Sequence, residues 1–223
     1  MLAINDRVAV IDDDDDGRDT IIDLLGEQNY TGVAITGRFG NDIERLLNEI
    51  ETADPRFVIC DHRLTAKQFA SFNGLQVVEE LIARKRPAML LTTFQDPDRI
   101  VLRAARPRVP VIKGRDGFKI EEVSFLCDVV SKEIANEPVT SRKPHRVLLR
   151  VEAVRDNEID VVVPSWNRNH AFVLPKSILG MSVRGAVKDR DYLLGDINIG
   201  ATSEEELYFA NVDEIIGGIK DLQ

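Results

Sequence analysis

Between residues 7 and about 135, short apolar runs without polar alternation recur between longer stretches of helical periodicity, and few folds accept that pattern. Val8-Ala9-Val10-Ile11, Phe57-Val58-Ile59-Cys60, Ala88-Met89-Leu90-Leu91 and Val109-Pro110-Val111-Ile112 contain no polar side chain. A strand wetted on one face alternates, whereas a strand covered on both faces does not, so these segments read as parallel strands between helical layers. Residues 31–36 supply a further short strand. Helical stretches lie between: Ile21, Ile22, Leu24 and Leu25 mark 19–27, and Ile43, Leu46, Leu47 and Ile50 mark a second helix that Asp54-Pro55 ends. Residues 75–84, 98–105 and 120–134 complete five alternations. The fold expected is a doubly wound α/β sheet, in which function collects beyond the carboxyl ends of the strands near the switch in strand order.

After residue 135 the pattern changes. Residues 136–144, Asn-Glu-Pro-Val-Thr-Ser-Arg-Lys-Pro, have two prolines and no periodicity and read as a linker. Beyond it, 146–155, 158–163, 170–174, 181–187, 192–199 and 206–212 are strand-like, with Val147, Leu149, Val151 and Ala153 alternating against Arg146, Leu148, Arg150 and Glu152. A terminal helix is expected over 213–222. The expected organisation is an α/β domain over 1–135, a linker over 136–144 and a small, mostly antiparallel β barrel or sandwich over 145–223.

Composition narrows the classes of function. A net charge of −9, negative on both sides of residue 144, opposes binding to nucleic acid phosphates. No run is long and apolar enough for a membrane span, and the N-terminus has no basic flank or signal core, so a cytoplasmic protein without a membrane partner is expected. Cys60 and Cys127 sit in separate apolar segments and read as buried thiols. With three histidines and no CxxC, zinc has few ligands to use.

The strand ends carry the chemistry. Five aspartates, Asp12 to Asp16, follow the first strand; Asp61 follows the third, Thr92 the fourth and Lys113 the fifth. Three carboxylates from two segments suit one Mg²⁺, and a hydroxyl with an ammonium opposite suits the oxygens of a transferring phosphoryl group, which points to an acyl phosphate formed on a carboxylate. Asp14, Asp15 and Asp16 read as solvated charge, with Asp15 or Asp16 capping the first helix. His62 adjoins Asp61 and is expected to turn to the opposite face.

Val-Ala-Val-Ile-Asp-Asp at 8–13, Val-Ile-Cys-Asp at 58–61, Leu-Leu-Thr at 90–92 and Val-Ile-Lys at 111–113 resemble, in order and spacing, the receiver domain of two-component response regulators, a flavodoxin-like fold, over residues 7 to about 135. The resemblance implies that Asp61 accepts the phosphoryl group, that Asp12 and Asp13 hold Mg²⁺ together with Asp61 and the backbone carbonyl of Arg63, and that Thr92 and Lys113 bind phosphoryl oxygens. It implies a histidine kinase or phosphotransfer protein as donor. No separate enzymatic output is expected. The β-rich part reads as a module that binds an unidentified protein, and a homodimer is left open. The alternatives are a haloacid-dehalogenase-like phosphatase, disfavoured because 61–63 reads Asp-His-Arg, and a phosphorylation-independent scaffold or ligand-sensing β module built on Trp166, Phe172, Tyr192, Tyr208 and Phe209.

Departures from the family pattern concern regulation. Thr65 stands where a proline is usual, and Gly74 comes only after an added segment, 66–73, beside the site. Thr93 and Phe94 follow Thr92 and are expected to restrict water and lengthen the life of an acyl phosphate. Pro110 occupies the position of the family's switching aromatic and cannot change rotamer, and Gly114 replaces the usual proline.

Overall fold

A computed structural model describes residues 1–93 and 96–216, without the side chains of 96–99. The first part of the chain runs β1 (Arg7–Ile11), α1 (Asp15–Glu27), β2 (Thr31–Ile35), α2 (Ile43–Ala53), β3 (Phe57–Asp61), α3 (Gly74–Ala83), β4 (Ala88–Thr92), α4 (Asp96–Ala105), β5 (Ile112–Gly114) and α5 (Val123–Ile134). Its five strands form one parallel sheet in the order β2-β1-β3-β4-β5. That is the flavodoxin-like doubly wound order, with its switch point between β1 and β3. Val8 to Ile11 and all of β3 and β4 are buried, which explains why these runs do not alternate.

The second part runs β6 (His145–Val154), β7 (Glu158–Val163), β8 (Asn167–Pro175), α6 (Met181–Arg184), β9 (Tyr192–Ile197) and β10 (Phe209–Ile216). The strands form a single antiparallel sheet, β10-β9-β6-β7-β8. The rings of Phe172 on β8 and Phe209 on β10, the two outer strands, lie 5.6 Å apart. The sheet therefore curls around its core, and pairing irregularities that leave extra residues on β6, β8 and β10 provide the bending. Phe172, Phe209 and Tyr208 are buried and Trp166 packs against the core, so most of the expected aromatic face is interior packing.

Two expectations change here. Residues 181–187 form no strand: Met181–Arg184 make the short helix α6, and beyond it the Val187 N–H donates to the Val183 carbonyl, so that Val183 and Val187 are both buried while Met181 is exposed. Residues 213–216 belong to β10 rather than to a terminal helix, and the rest of that expected helix lies outside the described residues.

The chain packs as two compact units, Met1–Phe94 with Arg108–Pro138 in the first and Gln95–Pro107 with Val139–Gln223 in the second. The second unit thus takes α4 out of the span read as the α/β domain. Its Arg103 donates to the Val173 carbonyl at 3.2 Å and to Glu204 at 2.6 Å, and lies over the Phe172 ring. The same unit takes up part of the expected linker. Residues Thr140–Arg142 form a 3-10 turn whose Arg142 is buried, donates to the Arg106 carbonyl and stacks on Tyr208. Buried Asn198 joins this turn to the sheet by donating to the carbonyls of Ser141 and Glu206 and accepting from the Tyr208 N–H.

Phe172 has no exposed surface and packs against Trp166, His170 and Phe209. Phe172→Ala should cost about 3–5 kcal/mol, the range for truncating a buried aromatic, as read by urea denaturation.

Candidate functional site

Parallel register sets the site. Ile11 pairs with Cys60, so the residues that follow, Asp12 and Asp61, emerge side by side at the β1–β3 switch point. Asp12 is 2 % exposed, Asp61 8 %, and Asp13 is half-buried. Each offers a carboxylate oxygen within 4.8 Å of the others.

Every carboxylate is held. Asp12 Oδ1 accepts the Asp14 N–H at 2.9 Å, Asp61 Oδ2 accepts the Arg63 N–H at 2.8 Å, and Asp13 Oδ2 accepts the Ala66 N–H in a short bond. The remaining oxygens of the buried pair face an arginine. Arg115 Nη2 donates to both Asp12 Oδ2 and Asp61 Oδ1, at 2.7 Å to the latter, and Nε adds a 3.2 Å bond to Asp61. Burial pushes the Asp61 carboxyl above the usual carboxylate range, and Asp12 adds to this; the Arg115 guanidinium and the Arg63 N–H oppose it. For Arg115, burial works against the charge, but hydrogen bonds to Asp12 and Asp61 outweigh it and raise its pKa.

The rest of the aspartate run is divided by local structure. Asp14, rather than Asp15 or Asp16, caps α1, its side chain accepting the Gly17 N–H. Asp15 pairs with Lys67 at 3.0 Å and Arg18 at 2.7 Å, and those bonds, Lys67's first, hold its carboxyl below the ordinary range. Asp16 is exposed.

Lys67 and Ala66 belong to the added segment, which is built in. Phe69 packs edge-on against Phe39 at 5.1 Å, the Ala70 N–H donates to the Leu64 carbonyl, and the Ser71 N–H to that of Gly40. The segment ends in a capping box, in which Asn73 and Gln76 exchange side chain–backbone bonds at the start of α3. Gly74 opens that helix, donating its N–H to the His62 carbonyl. A Cβ on Gly74 would stand 1.7 Å from the Asp61 carbonyl oxygen, so only glycine lets α3 approach the strand end.

Thr92 ends β4 and is 1 % exposed, one residue beyond Leu91, the pairing partner of Asp61. Lys113 pairs with Glu122 at 3.6 Å, and the cation that meets the carboxylates is Arg115, two residues further on. Thr93 is exposed, and Phe94 lies outside the described residues. His62 is buried, its N–H donating to the Leu91 carbonyl. Cys60 and Cys127 are free and buried, and burial raises both thiols. The strand-end reading missed Arg115 because it ended the fifth strand at Ile112 and stopped at Lys113; β5 runs to Gly114, and Arg115 is the residue that follows it.

The donor set fits a hard divalent cation: the side chains are oxygen donors only, and the pocket already accommodates positive charge from the guanidinium. Among the described residues no helix is long and apolar enough to cross a membrane.

No family model and no curated protein matches this chain. Solved structures that it matches include receiver domains of response regulators. The chain is similar to NtrX from Brucella abortus, at 18% identity and a TM-score of 0.44, over 59% of this chain and 28% of that one. It is similar to the receiver domain of NtrX alone at 19% identity and a TM-score of 0.43, covering 56% of this chain and 98% of that domain. A Francisella response regulator receiver domain matches at 16% identity and a TM-score of 0.43, over 58% and 98%. The chain thus spans 28% of the NtrX structure and 98% of each of the two isolated receiver domains.

Two predictions follow from this geometry. Gly74→Ala should destabilise the protein by about 3 kcal/mol, the upper end of overpacking costs, in urea melts. Because the folded pKa of Asp61 lies above the reference 3.8, the contribution of its protonated form is fully present below 3.8 and lost as pH rises through the folded value. Metal-free Asp61→Asn should therefore melt above wild type at neutral pH, with the advantage vanishing below pH 3.8.

Proposed function

We propose that this chain is a response-regulator-like protein that accepts a phosphoryl group on Asp61 in a Mg²⁺-dependent reaction and reports it through its β-rich unit. The observation that carries the reading is the convergence of Asp12, Asp13 and Asp61 within 4.8 Å at the switch point of a β2-β1-β3-β4-β5 sheet. Asp61 is the acceptor because it is the carboxylate on the central strand, between β1 with the other two acids and β4 with Thr92.

In the transfer, an ionised Asp61 oxygen attacks phosphorus and the donor's bond to phosphorus breaks. The leaving group keeps the electron pair, and Asp61 has no proton to lose. Asp12, Asp13, Asp61 and the Arg63 carbonyl would hold Mg²⁺, which would supply positive charge to the transferring oxygens. Thr92 offers a buried hydroxyl at the neighbouring strand end for one of those oxygens. The Ala66 N–H and Lys67 hold Asp13 and Asp15 on the outer side, so the added segment limits access to the site. The donor is a histidine kinase or phosphotransfer protein, and the β-rich unit binds a protein partner.

Incubation with a radiolabelled small phosphodonor and Mg²⁺ should load one phosphoryl group per chain and stop. Asp61→Asn or chelation of the metal should abolish the label. Label retained in Asp61→Asn, or continuous turnover of a phosphate ester at catalytic protein concentration, would contradict the reading.

A further inference from the structure

We propose that Arg115 is the resident cation of the acidic pocket: its guanidinium holds the oxygens that a divalent metal must take, and the metal affinity of this chain is set by that displacement. The inference rests on the receiver reading above and adds to it a competitor built into the chain.

The contacts define the competition. Nη2 bonds to Asp12 and Asp61 at once, two of the three carboxylates of the metal site, and Nε bonds to Asp61 again. A dication seated among the same oxygens would lie within a few ångströms of the guanidinium. Repulsion between the two charges is steep at that range in a half-buried site. Two cations therefore do not share the pocket; one leaves.

The surroundings are shaped for the arginine. Gly17 lies beside this pocket: a Cβ there would stand 3.1 Å from Asp14 Oδ2 and 3.3 Å from Asp12 Oδ2, and in ordinary contact, at 3.5 Å, with Arg115 Nη1. The Arg115 side chain retains 29% of its exposure, which leaves it a path out to solvent. It starts the 3-10 turn Arg115–Gly117 directly after β5, so the displaced head stays tethered at the site. Lys113, held by Glu122, does not take its place. Arginine also suits this role better than lysine, because a planar fork can bridge two carboxylates while an ammonium acts as one point charge.

Calorimetric titration of the full, metal-free chain with Mg²⁺ tests the proposal without reading phosphorylation. Arg115→Gln should tighten Mg²⁺ binding at least about fivefold, the lower end of coupling between two interacting ligands. Arg115→Lys, which keeps the charge and loses the fork, should tighten it by a smaller, measurable factor. In wild type, the Arg115 Nε–H resonance should shift as Mg²⁺ is added, a readout that does not depend on a variant folding. Unchanged or weaker binding in Arg115→Gln, Arg115→Lys indistinguishable from wild type, or an unmoved resonance at saturating Mg²⁺ overturns the competition. Asp12→Asn separates the two levels of failure. If it abolishes Mg²⁺ binding while Arg115→Gln leaves affinity unchanged, the receiver reading stands and the competition falls; if it does not abolish binding, both fall.

Discussion

Two carboxylates, Asp12 and Asp61, lie almost fully buried side by side at the end of a parallel sheet, and the first unit has to neutralise them. Water cannot do this at 2 % and 8 % exposure, and an unpaired buried charge costs several kcal/mol. Backbone N–H groups of Asp14 and Arg63 serve one oxygen of each, and the Arg115 guanidinium bridges the others. The pocket therefore attracts cations by construction. In this structure the cation that meets the two carboxylates is Arg115.

The segment between β3 and α3 is the second device that shapes the site. Its Ala66 N–H and Lys67 side chain engage Asp13 and Asp15, and its Phe69 anchors on Phe39. Gly74 then returns the chain so closely to Asp61 that no side chain fits. The added residues thus supply donors to the outer acids while Arg115 serves the inner pair. The acidic run is neutralised from two sides, and the half-buried Asp13 stands where the two meet.

Much of this was legible because burial leaves a direct mark on sequence. Strands covered on both faces must be apolar throughout, so β1, β3 and β4 and the residues at their ends could be read from order alone, and Asp12, Asp13 and Asp61 do converge. Three things were hidden for physical reasons. The helix cap fell on Asp14, because the cap depends on where the backbone first turns and five consecutive aspartates give no local cue. Arg115 was hidden because an arginine reaches several ångströms from its backbone, so its partner is set by tertiary structure rather than by register. The placing of α4 with the β-rich unit depends on Arg103 meeting Val173 and Glu204, contacts about 70 and 101 residues away that no periodicity encodes. In the second unit, alternation identified β6, but 181–187 is equally apolar as strand or helix, and only the way the core takes up both Val183 and Val187 decides.

The central claim is that a buried carboxylate on β3 becomes an acyl phosphate. Borohydride reduction after incubation with phosphodonor and Mg²⁺ tests it most directly, because one hydride expels phosphate from an acyl phosphate to give an aldehyde and a second hydride, with a proton from water, reduces that aldehyde to a primary alcohol. Peptide mapping by mass spectrometry should find residue 61 converted to homoserine, and no other aspartate changed. Conversion at Asp12 or Asp13, or phosphate retained on His62 with Asp61 intact, would contradict the account.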